Sequence, residues 1–330
     1  MAFVTLTNAH GTSVLLSTFG ARLIELLARD RDGRLGNIVL GHDTEQSYRD
    51  DPGPYFGATV GRVAGRLANA HFVGGGLEFD VTPNENSTHL HGGPERALDR
   101  VDWDVVPSGS ADTALFRYVS PAGEEGYPGT LTTTVSYRLT DADELEFGFQ
   151  ATTDAATPVN LVNHAYLNLS GDARSSIVDQ VLWIDASAIL AVNDELLPLG
   201  GAREVAGTAY DFRAERRIGD VLPDAGSEPW PGIDSTYVLD RSGRQAAMLW
   251  DPVSGRTLGI TTTEPTLQVY TGNRIAPATG RSGAPHAAGK GICLEAHRVP
   301  DSPALPEWPS IVLEPGAEYR QLTVWRLGIR

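Results

Sequence analysis

Leu131-Thr132-Thr133-Thr134-Val135-Ser136-Tyr137-Arg138-Leu139 sets Leu131, Val135, Tyr137 and Leu139 at odd positions and hydroxyl or charged groups between them. That period of two puts the apolar set on one face of a β-strand and the polar set on the other. Asp141-Ala142-Asp143 then supplies turn chemistry, and Leu145 to Phe149 resumes the pattern, so the segment reads as a hairpin. Similar short runs recur at Val4 to Leu6, Val14 to Leu16, Leu23 to Leu27, Val181 to Ile184, Leu258 to Thr261 and Leu267 to Tyr270. Asp30-Arg31-Asp32-Gly33 and Gly74-Gly75-Gly76 suit further hairpin connections. Helical periodicity is scarce: Thr44 to Tyr48 and Phe212 to Leu222 are each expected to make a turn or two, and neither resembles a crossover helix. The fold expected is all-β, a large antiparallel β-sandwich. No internal repeat and no linker interrupts it, which argues against a propeller or solenoid.

Composition narrows the function. A formal charge of −16 in 330 residues leaves no positive footprint for nucleic acid or an anionic membrane, so neither is expected as a partner. The 36 glycines and 21 prolines are spread between the short runs and mark many turns. Cys293 is the single cysteine, which excludes an intramolecular disulfide and any Cys-based zinc motif. The start Met1-Ala2-Phe3-Val4-Thr5 has no basic n-region, and no run of about 18 apolar residues occurs. A soluble cytoplasmic protein, monomer or homodimer, is the expectation.

Candidate chemistry lies in five places. Gly291-Ile292-Cys293-Leu294-Glu295-Ala296-His297 alternates so that Ile292, Leu294 and Ala296 share one face and Cys293, Glu295 and His297 the other. The titratable face either meets solvent or lines a cleft, where desolvation would make Glu295 a general base. Pro158 to Leu169 interleaves polar and apolar residues, and its stripe Asn160, Val162, His164, Tyr166 and Asn168 needs partners if buried, so it is solvated, lines a polar cleft or forms a structural network. His89-Leu90-His91-Gly92-Gly93 could chelate a metal through its two histidines, but no H-E-x-x-H or carboxylate cluster supplies further ligands, and no metal is expected. Gly61-Arg62-Val63-Ala64-Gly65-Arg66 gives two guanidiniums room to turn inward, and Gly232-Ile233-Asp234 places a carboxylate after a turn.

In this order, with Glu125-Gly126-Tyr127-Pro128-Gly129, Leu267-Gln268-Val269-Tyr270 and Leu313-Glu314-Pro315-Gly316, these segments resemble the aldose 1-epimerase (galactose mutarotase) family over nearly the whole chain. The resemblance implies that Glu295 is the general base, His164 the general acid and His91 an assisting group near the ring oxygen. Arg66, Asp234 and Gln268 would hold sugar hydroxyls, with Asn163, Tyr166 and His297 as further contacts. It also implies an open-clefted β-sandwich without a cofactor, acting on a free aldose such as glucose or galactose. Site residues spread from 66 to 295 imply a single domain over 1–330. Two positions depart from the family pattern. Gly65 stands where the family commonly has Asn, and Glu295-Ala296-His297 replaces Glu-Thr-Gln, so a protonated His297 is expected to lower the pKa of Glu295. The same residues leave other readings open: a non-catalytic carbohydrate-binding sandwich, an epimerase of a hexose 6-phosphate, or a glycoside hydrolase using Glu295 and Asp234.

Overall fold

A computed structural model describes residues 3–221, 232–243, 245–300, 305 and 308–330. The hairpin read from the sequence sits in the middle of a nine-stranded antiparallel sheet. Leu131–Leu139 pairs with Glu144–Thr153 from Leu131 opposite Thr153 to Leu139 opposite Leu145, and Asp143 takes a left-handed φ of 55° in the turn. Tyr319–Ile329, Arg256–Thr262, Ala247–Trp250 and Val181–Ile184 continue the sheet on one side, Thr113–Ser120 on the other. Along Leu131–Leu139 the odd positions are buried and the even ones mostly half-buried, as the period of two requires.

A second sheet of six antiparallel strands lies across that core, in the spatial order Tyr166–Leu167, Ile292–His297, Thr266–Tyr270, Asp234–Val238, Ala188–Val192 and Pro198–Glu204. One apolar cluster joins Tyr137, Phe147 and Trp325 of the first sheet to Leu267, Ile292 and Leu294 of the second, so the two sheets form a sandwich. Each of the strand runs anticipated above falls within or overlaps an observed strand.

Among the described residues the longest helix is Glu45–Asp50, capped where Ser47 N–H donates to Thr44 Oγ1 at 3.2 Å. Phe212 to Leu222 makes one of the turns expected, the 3-10 turn Ile218–Asp220, preceded by a strand at Arg216–Arg217, and Leu222 lies outside the described residues. The pairing of Val181 with Arg217 and Leu182 with Arg216 at the sheet edge satisfies backbone groups that a helix would have satisfied internally. No helix among the described residues is long and apolar enough to cross a membrane.

Candidate active site

The strand Ile292–His297 is buried at all six positions. Ile292, Leu294 and Ala296 enter the sandwich core, while Glu295 and His297 line a cleft of about 480 Å³ on the opposite face. The solvent-facing alternative for this strand is therefore excluded. Directly paired residues of antiparallel strands project to one side, so register aligns the cleft floor in rows. Glu295 lies opposite Gln268, which lies opposite Thr236; Cys293 lies opposite Tyr270, which lies opposite Asp234. Hydrogen bonds brace these rows: Gln268 Nε2 donates to Asp234 Oδ1 at 2.7 Å and Thr236 Oγ1 donates to Gln268 Oε1 at 2.5 Å.

His164 reaches the cleft from the neighbouring polar stripe, with Val162 and Tyr166 on the same face. Its Nε2 stands 3.7 Å from Glu295 Oε1 and its Nδ1 3.5 Å from Cys293 Sγ. Glu295 and His164 side chains are each 5 % exposed. Burial, reinforced by the Asp234 charge, pushes Glu295 up to about 8. Burial likewise pushes His164 down to about 4. His164 thus departs from the near-neutral titration of a solvated imidazole, and the pair retains one proton between pH 4 and 8, held in the empty cleft by Glu295.

Two further imidazoles face the cleft with opposite polarity. His91 adopts φ 56°, its own N–H donates to Gly65 O at 3.0 Å, and Gly65 N–H donates to His91 Nδ1 at 3.1 Å. Burial keeps His91 neutral, so its proton resides on Nε2 and that edge is a donor. In His297, Nδ1 is held by the Arg298 carbonyl, which only a donor can satisfy, so Nε2 is left as an acceptor. Burial pushes His297 down to about 4. The condition for a lowered Glu295 pKa, a protonated His297, is therefore not met: burial keeps His297 neutral at pH 7, and Glu295 moves the other way.

Arg66 enters from the rim as a fork on Glu85, with Nε to Oε2 at 2.6 Å and Nη2 to Oε1 at 3.0 Å. Arg274 adds a third contact to Glu85 at 3.2 Å. Burial opposes ionisation of Glu85, but Arg66 and Arg274 outweigh it and hold its pKa below the ordinary value. Glu85, Arg274, Tyr55 and Tyr270 all line the cleft, and sequence reasoning missed them. Glu85 sits in a turn without periodicity, so only its pairing with Arg66 across 19 residues reveals it.

Asn163 is not brought to the cleft. It lies one residue out of phase with Val162 and His164, and its amide donates to Gly57 O at 2.9 Å and Tyr137 Oη at 3.1 Å on the sandwich side. The His89–His91 pair is also split: His89 is buried between the Thr82 carbonyl at 2.6 Å and Tyr127 Oη at 2.7 Å. Arg62 is committed to the carbonyls of Ser120, Pro121, Pro128 and Gly129. Donor atoms of His164, Cys293 and Glu295 lie within 4.8 Å of one another, a spacing that a metal ion could bridge. The nearest approaches are to different nitrogens of the ring, Glu295 Oε1 to Nε2 and Cys293 Sγ to Nδ1.

A sequence profile of the family described as aldose 1-epimerase matches residues 2–326. The galactose mutarotase of Mus musculus is 38 % identical over 320 residues, covering 96 % of this chain and 91 % of its own. The aldose 1-epimerase of Escherichia coli K12 is 35 % identical, covering 98 % and 94 %. This chain belongs to the aldose 1-epimerase family. Among solved structures, the aldose epimerase homologue from C. elegans superposes with a TM-score of 0.92 at 29 % identity, covering 99 % of both chains. Galactose 1-epimerase from Lactobacillus acidophilus gives 0.85 at 29 %, covering 99 % and 94 %.

The Gly65 departure from the aldose 1-epimerase pattern has a local cause. Gly65 has φ +80°, and a Cβ there would meet Pro300 Cγ at 2.3 Å. Pro300 occupies the space into which a side chain at position 65 would start, and Gly65 serves the cleft through its N–H on His91.

Proposed function

We propose that this protein is a mutarotase that interconverts the α and β anomers of a free aldose, with Glu295 and His164 as its proton-transfer pair. The observation that carries the reading is the 3.7 Å gap between Glu295 Oε1 and His164 Nε2, just beyond hydrogen-bond distance at the floor of the cleft. Opening a hemiacetal ring removes a proton from the anomeric O1 and delivers one to the ring oxygen O5. When sugar oxygens occupy that gap, the pair's proton passes from Glu295 to His164, and the Glu295 carboxylate then accepts the O1 proton while His164 delivers its own to O5. The count of protons on the pair is the same before and after, so no net charge is created in a buried site. After rotation about C1–C2 the transfers run backwards onto the other face.

His91 Nε2–H supports the ring oxygen, and Arg66, Asp234, Gln268 and the His297 acceptor hold hydroxyls. Tyr166 packs at 5.1 Å, centroid to centroid, against His164 and shapes the wall. A carbohydrate-binding sandwich would need hydroxyl anchors but not a carboxyl pushed up to about 8 beside an imidazole pushed down to about 4. Polarimetry on freshly dissolved α-glucose and α-galactose tests the reading. The wild-type protein accelerates the drift, and Glu295→Gln lowers kcat by about 10²- to 10⁴-fold. Sugar binding without acceleration by the wild-type protein would overturn it.

A further inference from the structure

Proton transfer in the cleft depends on which nitrogen of His164 carries the ring hydrogen. Nε2 faces Glu295, 3.7 Å from Oε1, whereas Nδ1 lies 3.5 Å from Cys293 Sγ. Tyr55 at 5.5 Å, His91 at 5.5 Å and Tyr166 at 5.1 Å, centroid to centroid, wedge the ring, so each nitrogen keeps its own partner. A neutral imidazole has one hydrogen, and what stands at one nitrogen decides whether the other bears it.

The Glu295 side fixes the requirement. In the empty cleft Glu295 holds the pair's proton, and the reaction begins when that proton passes to His164. Nε2 must therefore be bare, which places the ring hydrogen on Nδ1. A buried N–H needs an acceptor, and among the described residues the side-chain atom within reach of Nδ1 is Cys293 Sγ.

Cys293 is suited to accept. It is fully buried in the apolar cluster that contains Phe56 and Tyr166, and burial with the nearby Glu295 charge pushes its thiol well above the ordinary value, so it stays S–H. A neutral thiol accepts through sulfur and donates its own hydrogen. With Nδ1–H on the sulfur, the S–H turns to the Tyr166 hydroxyl, its other neighbour, and Tyr166 lies directly opposite Cys293 in register. Sulfur is also a weak acceptor. A carboxylate behind Nδ1 would stabilise the imidazolium and blunt it as an acid, whereas the thiol leaves His164 at about 4.

We propose that Cys293 is a positioning residue for the mutarotase reaction: its sulfur accepts from His164 Nδ1–H and so fixes the tautomer whose bare Nε2 takes the proton of Glu295 and delivers it to O5. Nδ1 keeps its hydrogen throughout. Nε2 gains one proton from Glu295 and loses one to O5, Glu295 regains one from O1, and the sulfur's proton count does not change. The inference rests on the mutarotase reading above.

The test uses the full chain with two substitutions: Cys293→Ser keeps a group that accepts and donates, and Cys293→Val fills the space with neither. Nitrogen-15 NMR of the eight histidines, with His164 assigned by its loss in His164→Gln, reads the tautomer in the sugar-free protein at neutral pH. The wild type and Cys293→Ser show a protonated Nδ1 and a bare Nε2, and Cys293→Val moves the hydrogen to Nε2. In polarimetry on α-glucose, Cys293→Val lowers kcat about tenfold, the weight of one hydrogen bond, with KM within about twofold, while Cys293→Ser stays within about threefold of the wild type in both. A wild-type ring protonated on Nε2, or Ser and Val variants impaired alike, overturns the assignment. The wild-type spectrum needs no substitution at 293, so it decides even where a variant fails to fold. A wild-type protein that shows Nδ1–H yet accelerates no aldose overturns the mutarotase reading and leaves the hydrogen bond to Cys293 standing.

Discussion

A carboxyl at about 8 and an imidazole at about 4 define the pH range over which Glu295 and His164 share a single proton. Below pH 4 both groups are protonated and no base remains; above pH 8 both are deprotonated and no acid remains. The kcat/KM profile for glucose is therefore a broad plateau with limbs near 4 and 8 that belong to the pair. His164→Ala removes the imidazole, lowers kcat by about 10²-fold or more and abolishes the acid limb. A profile unchanged in shape would exclude His164 from the transfer. His297 acts differently, because it is neutral across the plateau and presents an acceptor. His297→Gln is expected to leave the alkaline limb within about half a unit of the wild type and to raise KM for sugars whose hydroxyl it accepts. A downward shift of that limb by about a unit would contradict the neutral, charge-free role.

At the scale of elements, the strand carrying Glu295 was legible because period-two alternation separates a core face from a second face by sequence alone. What lay opposite that face was not legible, since a solvated face and a cleft-lining face have the same pattern. Of the stripe Asn160, Val162, His164, Tyr166 and Asn168, the middle three line the cleft, while the amides of Asn160 and Asn168 donate to the Arg298 and Lys290 carbonyls as a structural network. Asn163 entered through motif resemblance, against the parity that sends it to Tyr137 Oη. Glu85 and Pro300 stayed hidden because their roles are contacts across the fold: Glu85 fixes the fork of Arg66, and Pro300 fills the space beside Gly65. Gly65→Asn tests the last point. Forcing a Cβ into a φ of +80° and to 2.3 Å from Pro300 is expected to cost about 1–3 kcal/mol of stability in denaturant unfolding. It also disturbs the N–H that orients His91, so kcat falls with stability. Adding Pro300→Gly restores part of the stability by removing the clash but not the backbone strain. A single substitution with wild-type stability would refute the steric account.

At the scale of the whole molecule, the cleft trades stability for chemistry in a way that pH reveals. Burial holds His89, His164, His286 and His297 each at about 4, against about 6.5 when unfolded. As pH falls from 6.5 toward 4 the unfolded chain gains these protons and the folded chain does not, so folding weakens. Four carboxyls work in the opposite direction, because burial raises Asp99 to about 6, Glu295 to about 8, and Asp234 and Glu264 above their ordinary values. Burial lowers His42 and His91 as well, and six histidines against four carboxyls leave the histidines dominant, at about 2–3 kcal/mol lost per pH unit of acidification. Above about 7 the histidines are almost wholly neutral in both states and Glu295 dominates: its carboxyl ionises freely in the unfolded chain but only near 8 in the fold, so stability declines gently up to that value. Urea unfolding from pH 4.5 to 8.5 should therefore show a maximum near about 7, with a steep acid side and a shallow alkaline side. Glu295→Gln should flatten the alkaline side and leave the acid side steep, because the amide is neutral in both states at every pH. An alkaline slope that persists in this variant would mean that a group other than the cleft carboxyl carries it, and that Glu295 is ionised in the fold at neutral pH.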